Sequence, residues 1–223
     1  MHLGQEVGIL IKKEFMLEWR QKYALNGILL YLCSTIFICY LSFYTSRGAP
    51  NPITWNTLFW IILLFTSVNA VAKSFILESP GRHMYYYTLA SPTAIIVAKM
   101  TYNAVLTMAV AAIGLLFYTI ILGNPVQDFT FFVVNMLAGS VGFSVILTLS
   151  SGIAAKARNS SALMAILSFP VITPVLLLSI RLSKNAMDGL AMSVNTSPLL
   201  TLFAVDLIVG ATAIMLFPFL WRT

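Results

Sequence analysis

Few side chains in this sequence could do chemistry, and the most unusual of them, Asp206, lies within a long apolar segment. Counted from Pro198, it lies about 12 Å into that segment at about 1.5 Å per helical residue. An ionisable group at such depth is rare in a membrane and is a functional candidate by default. We favour a structural ion pair with Arg181 or Lys184, and a functional group remains the alternative.

A second set of carboxylates lies near the N-terminus. Residues 1–23 predict a basic amphipathic helix at the membrane interface, with an aromatic residue on its apolar side. Glu14 and Glu18 stand one turn apart on this helix, and Lys22 follows a further turn on. They predict an i,i+4 ladder that ends in an ion pair. Alternatively, the two carboxylates are offered to basic groups of a cytoplasmic partner.

The remaining reactive side chains exclude most catalytic chemistry. Cys33 and Cys39 are six residues apart on one predicted helix and point in different directions, so we expect inert thiols rather than a disulfide or a metal site. The sequence holds no G-x-x-x-x-G-K-[ST] loop, no H-E-x-x-H and no G-x-S-x-G. We therefore expect no enzyme, no metal and no cofactor bound by this chain. Any uphill transport needs energy from a partner.

The elements that must position these residues are membrane-spanning helices. Hydrophobic residues make up 59% and charged residues 9% of 223 residues, and the mean hydropathy is +0.90. Soluble domains carry about 25% charge, and a spanning helix needs about 20 apolar residues. The sequence thus predicts one all-α polytopic membrane domain over residues 1–223. Its six predicted transmembrane helices cover 25–44, 55–76, 98–122, 129–152, 160–181 and 198–220.

Lys and Arg are distributed unevenly between the two sides of this predicted topology. Ten fall on the side of the N-terminus and three, Arg47, Arg181 and Lys184, fall on the other side. An excess of positive charge marks the cytoplasmic side. We therefore expect both termini in the cytoplasm.

The longest predicted cytoplasmic loop runs from about Lys73 to Lys99. Ser79-Pro80-Gly81 predicts a turn, and Ser91-Pro92 predicts the capped start of a helix. Between them, a short helix over 82–90 could place three tyrosines in an aromatic belt at the interface. Alternatively, this helix docks into a cytoplasmic protein and transmits its motion to the third span. The coupling residues in that hypothesis are Glu78, Gly81, Arg82, Tyr85, Tyr86 and Tyr87, together with Glu14 and Glu18.

Two later spans carry packing and bending signals. Small residues on the fourth span let helix backbones approach closely in lipid, which indicates a packing face or a dimer seam. In the fifth span, Pro170 and Pro174 predict a kink that serves either packing or gating. Asn69, Asn103 and Asn135 suit interhelical hydrogen bonds. The small residues of interest are Gly139, Ser140, Ser144 and Gly152.

Taken together, these features resemble an ABC-transporter permease. More narrowly, the chain resembles the haem exporter protein B family of bacterial cytochrome c maturation over essentially its whole length. Three stretches carry the resemblance: KKEFMLEWRQKYAL, SPGRHMYYYTLASPTAIIVAK and GFSVILTLSSGIAAKARNSSALMAILSFPVITPVLLLS. Within them Gly81, Ser91-Pro92 and the segment around Pro170 and Pro174 match the family pattern.

The resemblance implies an ABC-2-like permease subunit that exports haem or drives haem-chaperone release for cytochrome c biogenesis. It implies three partners: an ATP-binding subunit, a haem-handling membrane subunit (CcmC-like) and a small single-span subunit (CcmD-like). ATP would bind the first, haem would be cargo, and the chain could form a homodimer. Two alternatives stay open, since a fold does not fix a function. They are a permease for a lipid, drug or peptide, and a non-transporting scaffold for haem-handling assembly factors.

Overall fold

The computed structural model describes residues 3–20, 22–45, 48, 50–72, 90–155 and 160–222. All regular structure in these ranges is α-helical. The prediction of an all-α fold with six long apolar helices is confirmed. The helices are α1 (Leu3–Arg20), α2 (Lys22–Thr45), α3 (Pro52–Val71), α4 (Pro92–Leu122), α5 (Phe129–Ala154), α6 (Ser160–Met187) and α7 (Met192–Arg222).

Local sequence explains where the helices begin and end. Ser91 caps α4 and Pro92 is its first residue, as the sequence predicts. Asn51 and Asp128 cap α3 and α5 in the same way, because each side chain accepts a hydrogen bond from a backbone N–H in the first turn. α4 ends at Gly123, whose φ of 82° suits glycine far better than other residues.

Three of the six spans extend six residues beyond a predicted limit. α4 begins at Pro92 rather than at residue 98, α6 continues to Met187 rather than 181, and α7 begins at Met192 rather than 198. Polar residues made these ends look like loops. In the structure the polar residues near the ends of α6 and α7 have partners: Lys184 pairs with Asp188 at 2.7 Å, and Asn185 donates to Asn195 at 2.8 Å.

α5 is the central helix of the bundle. It packs against α3, α4, α6 and α7, whereas α2 and α7 expose most of their length. Aromatic side chains fill the core beside α5, and Trp55, Phe59, Tyr118 and Phe132 stack with ring centroids 4.8–6.0 Å apart. Close aromatic packing of this kind holds α3, α4 and α5 together.

The first and last helices meet at the same end of the bundle. Leu10 of α1, Ile95 and Ile96 of α4, Ala155 after α5 and Phe217 of α7 form one apolar cluster. An even number of crossings between α2 and α7 is what brings these segments together. We call this end the α1 end of the bundle.

Candidate functional site

The candidate site is the contact between α1 and the first turns of α4, which we call the α1–α4 interface. At its start, the Ser91 hydroxyl donates to Glu6 Oε2 at 2.9 Å and accepts from the Ala94 N–H at 3.4 Å. One serine therefore caps α4 and binds α1. The carboxylate of Glu6 also lies near the N-terminus of α4, where the helix dipole favours negative charge.

Two turns further along, Lys99 of α4 meets Glu14 of α1. The Lys99 Nζ atom lies 3.3 Å from Glu14 Oε1, and Lys13 Nζ lies 2.9 Å from the same oxygen. The Lys99 side chain is only 2% exposed and that of Glu14 is 12% exposed. Burying an ammonium group is costly unless it is paired. The α1 helix thus supplies the charge that lets Lys99 be buried.

The contacts keep a constant register. Glu6 to Glu14 and Ser91 to Lys99 are both steps of eight residues, so α1 and the start of α4 run parallel, side by side. Beyond them, Phe15 packs edge-on against Tyr102 with ring centroids 5.1 Å apart. α1 is therefore fixed to α4 by polar and apolar contacts over about three turns.

Glu14 pairs with basic residues of its own chain, Lys13 and Lys99. Its contact with basic groups of a partner stays a prediction. Glu18 is half-buried and lies beside Tyr102. The side chain of Lys22, with which the sequence predicted an ion pair, lies outside the described residues.

The predicted coupling loop cannot be compared with the structure. Its residues Glu78, Gly81, Arg82 and 85–87 lie outside the described residues, which resume at Ala90. Ala90 directly precedes the cap of α4 and packs against the apolar cluster at the α1 end. The loop therefore leads straight into the α1–α4 interface.

The small residues of α5 are used inside this chain. Gly139, Ser140, Ser144 and Gly152 are all buried. A Cβ on Gly139 would lie 2.7 Å from both the Trp60 ring and Ser179 Oγ. These residues therefore form an intramolecular packing face, and this face is not free to serve as a dimer seam.

Hydrogen bonds between spans involve two of the three predicted asparagines. Asn103 Nδ2 donates to Thr148 Oγ1 at 2.9 Å, and Asn135 Nδ2 donates to the Ser179 carbonyl at 2.8 Å. Asn69, in contrast, is exposed two residues before the end of α3. The amides therefore join α4 to α5 and α5 to α6.

The two prolines of α6 face outward. Pro170 and Pro174 are exposed, and α6 is helical through both of them. Because neither ring packs into the bundle core, their helix-breaking effect falls on the surface of α6. A gating role for them stays a prediction.

The predicted ion pair of Asp206 is wrong. Lys184 pairs with Asp188 instead, and Arg181 is exposed. The reason is depth: α7 begins at Met192, so Asp206 lies about 21 Å from that end and not 12 Å. Its carboxylate instead sits against Gly142 of α5, where a Cβ would overlap it.

The sequence pattern does not predict several residues of the candidate site. Lys99 looks like an ordinary loop cation, and nothing in the pattern singles out Glu6. The eight-residue spacing of Glu6 and Glu14, matched by that of Ser91 and Lys99, could have signalled the pairing. A third group, Asn56, Trp60 and Ser183, is hydrogen-bonded between α3 and α6 at 2.7–2.8 Å and gave no sequence signal.

The described part of the chain offers no metal centre. It contains no group of three or more His, Cys, Asp or Glu side chains. Cys33 and Cys39 are free thiols, both half-buried on α2.

The comparison with protein families identifies the class of protein. A six-span helical bundle with a helix fixed at one end is typical of membrane permeases, and the family model described as CcmB protein matches residues 5–217. The chain belongs to the CcmB family. It is accordingly a multi-pass membrane permease component of haem export in cytochrome c maturation. The search of curated proteins gives no match.

Proposed function

We propose that this chain is the permease subunit of an ABC-type complex in which a separate ATPase drives haem export or haem-chaperone release. The α1–α4 interface is the observation that carries the proposal. It ties α1 and the end of the predicted cytoplasmic loop to one long helix through Glu6–Ser91 and Glu14–Lys99. A subunit without its own nucleotide site needs such a rigid connection to receive work from a partner.

The contacts of α4 indicate how a movement of the ATPase would reach the membrane helices. An ATPase that pushes on α1 or on the loop before Ala90 would move the first turns of α4, because α1 is bound to those turns and the loop precedes them in the chain. α4 has 31 residues and is about 46 Å long. It also packs against α2, α3, α5 and α7. A displacement at its start would therefore reach most of the bundle.

Hydroxyl groups along α4 and α5 would let these helices shift without losing their hydrogen bonds. Thr107 Oγ1 lies within hydrogen-bond distance of three carbonyl oxygens, those of Asn103, Ala104 and Ser140. It can exchange intrahelical for interhelical acceptors at low cost. We infer that the α4–α5 contact is the sliding surface of the permease.

We propose further that haem is cargo and that its ligands lie on other subunits. The partners in this proposal are the ATP-binding subunit, the CcmC-like haem-handling subunit and the CcmD-like single-span subunit. Both termini would be cytoplasmic in the inner membrane, so that α1 faces the ATPase. Protease-accessible tags at Met1 and Thr223 test this orientation, and opposite accessibility of the two tags would refute it.

The ATPase contact is tested by loop substitution. Replacing Tyr85, Tyr86 and Tyr87 with alanine in the full complex should abolish co-purification of the ATP-binding subunit while membrane insertion is retained. Replacing Tyr40 and Tyr44, which lie toward the other end of the bundle, is the matched control and should leave co-purification intact. Unchanged co-purification in the loop variant would refute the docking role.

Transmission is tested separately from docking. Glu14→Gln with Lys99→Met should retain the ATP-binding subunit but lower ATP-dependent loading or release of the periplasmic haem chaperone, because α1 is no longer tied to α4. Lys12→Gln, on the exposed face of α1, is the control. Normal haem delivery by the double variant would show that this interface does not transmit the movement of the ATPase.

A further inference from the structure

A groove on the lipid-facing surface lies between α4, α5 and α7, away from the α1–α4 interface. Its volume is about 700 Å³, and Asp206 lies at its base. We call it the Asp206 groove. The other lining side chains are apolar or small and include Met108, Val134, Val141, Phe203, Leu207 and Ile214.

Asp206 is unsatisfied at the base of this groove. The residue is only 9% exposed, and neither carboxylate oxygen has a hydrogen-bond partner among the described residues. About 21 Å from the Met192 end of α7 places it near the middle of the bilayer. A carboxyl group left without a partner there is costly, which points to an occupant that supplies a donor.

We propose that the Asp206 groove receives a transmembrane helix of a different subunit. That helix would carry a Lys, Arg, Asn or Gln at the same depth, and this side chain would donate to Asp206. Lys, Arg, Asn and Gln fit because each carries N–H groups that can donate to the carboxyl oxygens of Asp206. Polar side chains of this kind join helices within membranes.

The dimensions of the groove suit one face of a helix. Its walls run from Val134 to Val145 on α5 and from Phe203 to Ile214 on α7. Each wall is about 16 Å long at 1.5 Å per residue. Gly210 and Ala211 leave room for a close backbone approach.

A second copy of this chain does not supply the donor. Within the described spans, Lys99, Asn56, Asn103 and Asn135 are buried. Exposed Asn26, Asn69 and Arg181 lie within six residues of a helix end, far from the middle of a span. A helix from another chain is therefore the occupant that fits.

This inference goes beyond the proposed function, because it needs a membrane partner but no ATPase. It is tested by photo-crosslinking in native membranes that contain the complete set of haem-export subunits. A photoreactive phenylalanine replaces Leu207, which lines the groove and is 73% exposed. The matched control replaces its neighbour Ile208, which is 66% exposed outside the groove. The crosslinked peptides are then sequenced.

Position 207 should crosslink several-fold more strongly than position 208, to a transmembrane segment of another subunit with a Lys, Arg, Asn or Gln within one turn of the adduct. Adding Asp206→Leu should lower the yield about threefold to thirtyfold, the range for loss of one interhelical hydrogen bond. Asp206→Asn keeps an acceptor and the side-chain shape. Its crosslinking yield should fall between that of unchanged Asp206 and that of Asp206→Leu, and a measurable yield shows that the protein still folds without the carboxylate.

Five results would overturn the proposal. Four of them are adducts with lipid alone, adducts with a second copy of this chain, equal yields at the two positions, and a yield unaffected by Asp206→Leu. A protein adduct on a segment without a donor within one turn would also overturn it. Co-purification of the ATP-binding subunit, measured in the same membranes, reports separately on the proposed function.

Discussion

Breaking the Lys99–Glu14 pair should release α1 from α4 while the six spans stay folded. Lys99→Met keeps the long apolar stem but removes the ammonium group, so packing around position 99 is retained. The pair joins a side chain that is 2% exposed to one that is 12% exposed. Its loss therefore acts on a site with little access to solvent.

The magnitude follows from this burial. Removing one member of a buried pair costs about 3–5 kcal/mol. Glu14 keeps Lys13 at 2.9 Å and is partly solvated, so about 2–3 kcal/mol is expected for Lys99→Met. That corresponds to an increase of about thirtyfold to 150-fold in the population of the open state.

The assay measures opening of α1 directly. Leu10 contacts the apolar cluster at the α1 end, so a Leu10→Cys probe should react with a maleimide only when α1 lifts away. Cys33 and Cys39 are replaced by alanine in this background. Lys99→Met should raise the labelling rate about thirtyfold to 150-fold. Lys12→Met, on the exposed face of α1, should leave it unchanged.

A double-mutant cycle tests whether Lys99 and Glu14 interact. Glu14→Gln alone should also raise labelling, and the double variant should fall short of the product of the single effects by about fivefold or more. That shortfall corresponds to a coupling of about 1–3 kcal/mol between neighbouring residues. Strictly multiplicative effects, or labelling of Lys99→Met at the parental rate, would refute the pairing.

Three further changes test the packing of the bundle. Gly139→Ala should lower the stability of the purified protein by about 1–3 kcal/mol, because its Cβ would lie 2.7 Å from the Trp60 ring; an unchanged melting temperature in detergent would contradict this. Asn103→Ala should cost about 0.5–2 kcal/mol, and Thr148→Ala in that background should cost little more; equal independent losses would disprove their hydrogen bond. Ser91→Ala removes the cap of α4 and should lower the stability by about 1 kcal/mol. Ser91→Asp supplies another capping side chain, but it should not restore this stability fully because its carboxylate repels the carboxylate that Ser91 binds on α1.

Helix identity and number could be predicted from the sequence because lipid leaves the backbone few choices. Each apolar segment must satisfy its own N–H and C=O groups, which makes it a helix wherever it is long enough. Caps such as Ser91-Pro92 and the break at Gly123 are local signals. Those features needed no information about neighbouring helices.

The ends of the spans could not be predicted as well. Lys184, Asp188, Asn185 and Asn195 look like loop residues one at a time. In the structure Lys184 pairs with Asp188 one turn on, and Asn185 of α6 donates to Asn195 of α7. The second contact depends on how two helices meet, which no local pattern contains.

The sequence by itself determined a six-span helical membrane protein, the cap at Ser91-Pro92 and a carboxylate within an apolar segment. Only the tertiary structure decided which distant charges meet: Lys99 pairs with Glu14, and Asp206 has no described partner. The physical reason is that burial and helix formation in lipid depend on composition over short windows, whereas a salt bridge depends on the register of two helices distant in the chain. Here that register also connects α1 to α4 and leaves the groove at Asp206 open for another helix.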